Sequence, residues 1–180
     1  MRIDIENKAG KYLFKKDGEL IFSSVERKNL LRTCTLLKDR NNQLIAEIYT
    51  KYSIPFIQIK YIVKYQNNLL KILPKSIIGP YYILDYNYSK YILVKHRGLK
   101  YSVLKENKQI AYFIKESGVS LGFAKRKFII EVDADADVNL VCIFFCAVFC
   151  DFESRAEINI DLGLMLKEEK LFDNNWIAKK

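Results

Sequence analysis

Val138-Asn139-Leu140-Val141-Cys142-Ile143-Phe144-Phe145-Cys146-Ala147-Val148-Phe149-Cys150 is the stretch whose reading decides the fold. It is far shorter than the roughly 20 apolar residues needed to cross a bilayer. Except for Asn139 it has no polar face, so a helix here cannot lie half-exposed on a surface. It has to be enclosed. The preceding Asp133-Ala134-Asp135-Ala136-Asp137 supplies a start signal, because Asp135 or Asp137 can accept hydrogen bonds from the exposed amides of the first turn.

The rest of the chain must provide the enclosure, and its pattern is that of short strands. Aromatic residues make up 13% of the 180 residues, with 12 Tyr and 11 Phe beside only 7 Gly and 3 Pro, a composition that favours ordered β structure over disorder. Tyr12 to Phe22 reads as strand, turn, strand about Asp17-Gly18. Ile57, Ile59, Tyr61, Val63 and Tyr65 alternate with Gln58, Lys60, Ile62, Lys64 and Gln66, the period of a half-buried strand with one packed side and one side carrying lysines. Asn67-Asn68 reads as its turn, Leu69 to Leu73 as the return strand, and Gly79-Pro80 as a break. Further strands are expected at Tyr81–Asp85, Lys90–Lys95, Lys100–Lys105, Ile110–Lys115, Ser120–Phe123 and Phe128–Val132.

About ten to twelve such strands are best accommodated by closing the sheet, which removes exposed edges. The expected fold is mainly β: a closed antiparallel β-barrel of about 12 strands around a central hydrophobic α-helix at about 138–150. All 180 residues are expected to form one domain, with a C-terminal extension at about 153–180. Leu36 to Ala46 resembles Val103 to Ala111 with a turn shorter by two residues, which suggests a duplicated hairpin. Beyond the helix, Ile158, Ile160, Leu162 and Leu164 alternate with polar residues as one more strand would. The end from Asn174 to Lys180 is expected to fray, with Trp176 and Ile177 either docking on the body or marking a contact.

The chemistry-bearing residues are few. Cys142, Cys146 and Cys150 stack on one face of the expected helix, where their parallel side chains do not suit a disulfide. With Cys34 they read as reduced, apolar core residues of a cytoplasmic protein rather than zinc ligands, since no Cys-x-x-Cys pair is present. Asp133, Asp135, Asp137 and Asn139 imitate the start of a calcium loop, but Val138 stands where the loop needs its glycine and Phe144 where it needs its glutamate. A helix cap is the expected role; no metal and no cofactor is expected. His96, the single histidine, is flanked by Lys95 and Arg97 and is expected at the surface. Phosphate loops, nucleophile elbows and His-Glu-x-x-His motifs do not occur, so an enzyme is not the expected class.

The net charge of +9 hides an asymmetry: residues 1–100 carry 19 basic and 8 acidic residues, whereas residues 101–180 carry 11 and 13. From Ile48 through Leu84 there is no acid. Lys51, Lys60, Lys64, Lys71 and Lys75 fall in that stretch and Lys90, Lys95 and Arg97 follow it, so these eight are the candidate residues of an anionic-ligand surface. Anionic lipid or a protein partner is expected. Nucleic acid is the alternative, because Tyr61, Tyr65, Tyr81, Tyr82, Tyr86, Tyr88 and Tyr91 interleave with the lysines as stacking residues would. Met1-Arg2-Ile3-Asp4-Ile5-Glu6 alternates charge with apolar side chains and does not read as a signal peptide, so a cytoplasmic location with peripheral contact at a membrane is expected.

Gln109-Ile110-Ala111 after a polar turn, Phe128-Ile129-Ile130-Glu131-Val132-Asp133, the Asp/Ala-rich corner and the apolar segment 138–150 occur in an order that resembles the tubby C-terminal-like superfamily. That superfamily includes the plant LURP-one-related proteins, phospholipid scramblases and small bacterial proteins. The resemblance covers about residues 10–152. It implies a twelve-stranded barrel around a central hydrophobic helix, with phosphoinositide binding by a basic surface or scramblase-like activity as the functions to expect. No residue-by-residue motif carries over.

Overall fold

In the computed structural model, residues 1–8, 11–29, 32–53, 58–74, 81–96, 100–116, 127–152, 173 and 175–179 are described. Among these residues twelve strands precede one helix: β1(Arg2–Lys8), β2(Lys11–Lys16), β3(Glu19–Asn29), β4(Arg32–Asp39), β5(Leu44–Ser53), β6(Gln58–Tyr65), β7(Asn68–Pro74), β8(Tyr81–Tyr86), β9(Ser89–His96), β10(Lys100–Lys105), β11(Lys108–Glu116), β12(Lys127–Val132) and α1(Val138–Phe152). Each strand pairs antiparallel with its sequence neighbour, and β1 closes the barrel by pairing with β12 as well as β2. The closing strand went unassigned in the sequence. Its alternation places Ile3 and Ile5 in the core and Arg2, Asp4 and Glu6 outside.

Two-residue turns set the register of four hairpins. Asp17-Gly18, Gln66-Asn67, Asn87-Tyr88 and Glu106-Asn107 all have both residues in the left-handed region, the combination whose twist matches that of the strands it joins. The β6–β7 turn is therefore Gln66-Asn67 and not Asn67-Asn68. Tyr65 and Asn68 are the closing pair, which keeps Tyr65 on the inward row with Tyr61 and Val63.

The resemblance between Leu36–Ala46 and Val103–Ala111 corresponds to hairpins β4–β5 and β10–β11, six strands apart in the barrel. Both carry a register shift that leaves one extra residue on the second strand, Ile45 in one and Ile110 in the other. Counted between the pairs Leu37–Ala46 and Val103–Ala111, the second loop is shorter by one residue rather than two. Hairpin β2–β3 has the same device at Ile21. All three bulged isoleucines are at least partly buried, so the added residue contributes to packing while it increases local twist.

The barrel has no lumen along α1, because the helix fills it. Leu140 through Phe149 are buried on every side, as an all-apolar helix requires. Phe145 is the hub of the aromatic core, with ring centroids 5.5 Å from Tyr12, 5.6 Å from Phe14, 5.8 Å from Phe113, 5.3 Å from Phe128 and 4.7 Å from Phe149. Cys142 and Cys146 are free thiols within this core, Cys34 is a half-buried free thiol on β4, and burial pushes the Cys142 thiol well above its usual range. The expected strands at 120–123 and 158–164 lie outside the described residues.

Asp137 is the helix cap. Its Oδ1 accepts the Leu140 amide at 3.1 Å, and its carboxylate also accepts the Tyr65 hydroxyl at 3.2 Å. Tyr65 Oη in turn accepts from Gln66 Nε2 at 3.0 Å and Asn139 Nδ2 at 3.4 Å, while the Tyr86 hydroxyl donates to Gln66 Oε1 at 2.7 Å. One donor and two acceptor positions of Tyr65 are thereby used, which fixes the helix start to β6 and β8. Burial, outweighing the opposing Asn139 bond and assisted by Asp137, pushes the Tyr65 phenol up to about 12.

The end of the chain docks instead of fraying throughout. Trp176 packs edge-on against Tyr112 at 5.5 Å and donates its indole N–H to the Gln109 carbonyl at 3.2 Å. The Lys179 amide donates to buried Asp133 at 2.7 Å, and the Lys179 carbonyl accepts from Ala134 at 3.1 Å. Asp133 and Asp137 are thus each engaged by backbone amides; among the described residues no group of His, Cys, Asp and Glu converges on a metal-sized site. Ile177 points outward.

His96 is the other correction. It is only 5% exposed, and its Nε2 lies 3.0 Å from Ser102 Oγ on the neighbouring strand. Since Leu93 and Val103 fill the inward row, Val94, His96, Ser102 and Leu104 face away from the barrel interior, yet all four are buried. Val94 and Leu104 form a second apolar cluster with Ile92. Flanking charges in the sequence therefore did not report the exposure of the residue between them.

Candidate binding surface

Strand period two, acting on β5, β6 and β7, gathers half of the eight candidate residues. Ala46, Ile48 and Thr50 of β5, Tyr61, Val63 and Tyr65 of β6, and Leu70 and Ile72 of β7 are buried inward. The alternate positions point out. Lys51 lies directly opposite Lys60; Tyr49, Ile62 and Lys71 form the next row across the three strands; Glu47, Lys64 and Leu69 form the third. Leu73 continues the outward row of β7 and is 42% exposed, while Leu69 is 61% exposed.

The four lysines differ in their surroundings. Lys64 is bound to Glu47 at 2.9 Å and stands 5.3 Å over the Tyr49 ring. Tyr49 also donates its hydroxyl to Glu47 at 2.6 Å. This bond, followed by that from Lys64, lowers the Glu47 carboxyl below its usual range, and the bond to Glu47 raises the Lys64 ammonium. Lys51 and Lys60 are cross-strand neighbours of like charge, an arrangement that costs rather than stabilises. Lys71 lies opposite Ile62 and is exposed.

The remaining candidates do not join this face. Lys90 is on β9 opposite Asp85, and its backbone amide is held by the Glu106 carboxylate. Lys95 follows Tyr91 and Leu93 on the inward-facing row of β9 and is exposed beside Tyr101 at the barrel end. Lys75 and Arg97 lie outside the described residues. Nor do the interleaved tyrosines make a stacking surface beside the lysines: Tyr61, Tyr65, Tyr86 and Tyr91 are buried, Tyr82 is partly buried and Tyr88 is exposed in the β8–β9 turn. The side chain of Tyr81 is not among those described.

No family model, curated protein or solved structure matches this chain. Strand number, antiparallel order and the single enclosed helix match the tubby-like topology expected above. Among the described residues no helix is long and apolar enough to cross a membrane.

What this face can do follows from its composition. It offers ammonium groups, two of them in enforced proximity, around partly buried Tyr49 and Ile62, with exposed leucines along one edge. Leu69 and Leu73 were missed as surface residues because Leu69-Leu70 and Ile72-Leu73 look apolar on both sides of the strand. The available signal was Lys71: placing it outward forces its i±2 neighbours outward with it.

Proposed function

We propose that the chain is a non-enzymatic, tubby C-terminal-like binding domain that docks on anionic phospholipid surfaces through the outer face of β5–β7. The observation that carries this is the Lys51–Lys60 pair, set next to Lys71 and the exposed leucines of β7. A phosphate-bearing surface relieves the repulsion between the two lysines, and the leucines add apolar contact at the headgroup boundary. A filled barrel interior argues against lipid passage along its axis, and the inward tyrosines argue against nucleic acid.

Co-sedimentation of the full chain with phosphatidylcholine vesicles, with and without phosphatidylserine, tests the proposal. Binding is expected only to the anionic vesicles and should weaken as salt is raised. At about 1 kcal/mol per lysine near the surface, removing Lys60 and Lys71 together should weaken partitioning on the order of 30-fold. No binding to either vesicle, or binding unchanged in that double variant, refutes it.

A further inference from the structure

The hairpin turns of β2–β3, β4–β5, β6–β7, β8–β9 and β10–β11 lie at one end of the barrel, where α1 also begins. Exposed apolar side chains stand in or just after four of these turns: Leu20, Leu44, Leu69 and Tyr88. Between Leu44 and Leu69 a groove of about 690 Å³ opens across β5, β6 and β7, reaching inward to Tyr65 and to Asn139 in the first turn of α1. Its size is that of ligand-binding clefts in general.

We propose that this groove docks an extended, uncharged peptide segment of a partner protein, one bearing aliphatic side chains. Among the described residues its charged lining is Glu47 and Lys64, which neutralise each other at 2.9 Å, so these residues select neither an anion nor a cation. The other polar lining is rich in primary amides, Gln66, Asn67, Asn68 and Asn139; both amide atoms of Gln66 are bonded to Tyr65 and Tyr86, which leaves the three asparagines to face a ligand. A primary amide both donates and accepts, as a peptide group does, and a carboxylate or ammonium does not. Leu44 and Leu69, 51% and 61% exposed, stand on either side and supply apolar contact for the segment's side chains.

The wall is already rigid. Gln66 is held between the Tyr65 and Tyr86 hydroxyls, Asn68 Nδ2 donates to the Gln66 carbonyl at 3.0 Å, and both turn residues occupy the left-handed region. A partner therefore meets a preformed surface and does not have to order it. Charges at this end alternate in sign, with Lys16 beside Asp17, Lys105 and Lys108 around Glu106, and Lys179 paired with Asp135 at 3.6 Å, so it presents no predominantly basic surface to lipid phosphates. The groove adjoins the lysine face and shares its third row, Glu47, Lys64 and Leu69, while Lys51, Lys60, Lys71 and Leu73 lie outside its lining.

The test pans a random linear heptapeptide display library on the full chain and titrates the best synthetic peptide into ¹⁵N-labelled protein. Enrichment of uncharged peptides containing Leu, Ile or Val is expected. They should shift the side-chain amide resonances of Asn67, Asn68 and Asn139, and lose at least 10-fold in affinity with Leu44→Lys and with Asn139→Ala. Leu73→Lys, on the lysine face, should leave that affinity unchanged. Leu44→Lys alters an exposed side chain, so the test stands even where Asn139→Ala impairs folding. Failure to enrich any peptide overturns the proposal, as does enrichment of acidic peptides whose binding depends on Lys60. So do groove shifts that grow with protein concentration without peptide, which would make a second copy the occupant, or shifts produced by phosphatidylcholine micelles, which would make it lipid.

Discussion

Replacing Phe145 by alanine is the sharpest perturbation of this fold. The ring is fully buried, stacks on Phe149 at 4.7 Å and meets four barrel rings, from β2, β11 and β12, at 5.3–5.8 Å. A buried Phe→Ala change costs about 3–5 kcal/mol, and a site with rigid aromatic walls on every side belongs toward the top of that range because it cannot collapse. Against a total stability of about 5–15 kcal/mol this is a large fraction. In a domain of this size each kcal/mol moves the midpoint by roughly 2–4 °C, so the melting temperature should fall on the order of 10–20 °C. Urea denaturation followed by far-UV circular dichroism and by fluorescence of Trp176, the single tryptophan, measures the change. Trp176 sits on the outside of the barrel, so coincident curves also test whether wall and helix unfold together. Phe145→Leu should cost much less, and Tyr88→Ser, at an exposed turn, should stay within about 0.5 kcal/mol of the parent. A Phe145→Ala loss below about 1 kcal/mol would refute the enclosure of the helix.

Asp137→Ala should cost about 1–2 kcal/mol in the same urea assay, because it uncaps α1 and removes the carboxylate held by Tyr65; a neutral result would deny the cap. Burial pushes the folded Tyr65 phenol up from 10 to about 12, so its contribution to stability is complete below pH 10 and is lost as pH rises through about 12. Alkaline melting curves should show a smaller loss over that window in Tyr65→Phe than in the parent. Glu47 has the opposite sign: its lowered carboxyl stabilises the fold above about pH 4.5 and loses that contribution as pH falls below it, so Glu47→Gln should flatten the acid limb of the stability profile. Lys60→Glu places opposite charges across from each other, and should raise stability by about 0.2–1 kcal/mol while reducing binding to anionic vesicles. A fall in both would make Lys60 structural.

The barrel and its helix were legible because both depend on local periodicity. A thirteen-residue apolar run with one polar position can only be enclosed, and strands alternating at period two can enclose it. The start of the helix was legible for the same reason, as a carboxylate placed just before the apolar run. The β6–β7 turn was displaced by one residue because Gln66, Asn67 and Asn68 are all turn-compatible, and what selects between them is Tyr65, held inward by Asp137 seventy-two residues away. The first strand was overlooked because its partner β12 lies at the far end of the chain.

The sequence by itself determined that a basic region exists, that its lysines alternate with core residues, and that an apolar helix lies within β structure. Period two suffices for this, since it assigns each side chain to the inside or the outside of a strand. Tertiary structure decided everything that depends on which strands are neighbours. Register set Lys51 against Lys60, supplied Glu47 to Lys64, placed Lys90 opposite Asp85, and left Lys95 on the inward row of another strand. It also buried His96 against Ser102 and opened the amide-lined groove beside the start of α1. Charge composition is a property of the chain; the field at a surface depends on the distances between charges, and those are set only when the barrel closes.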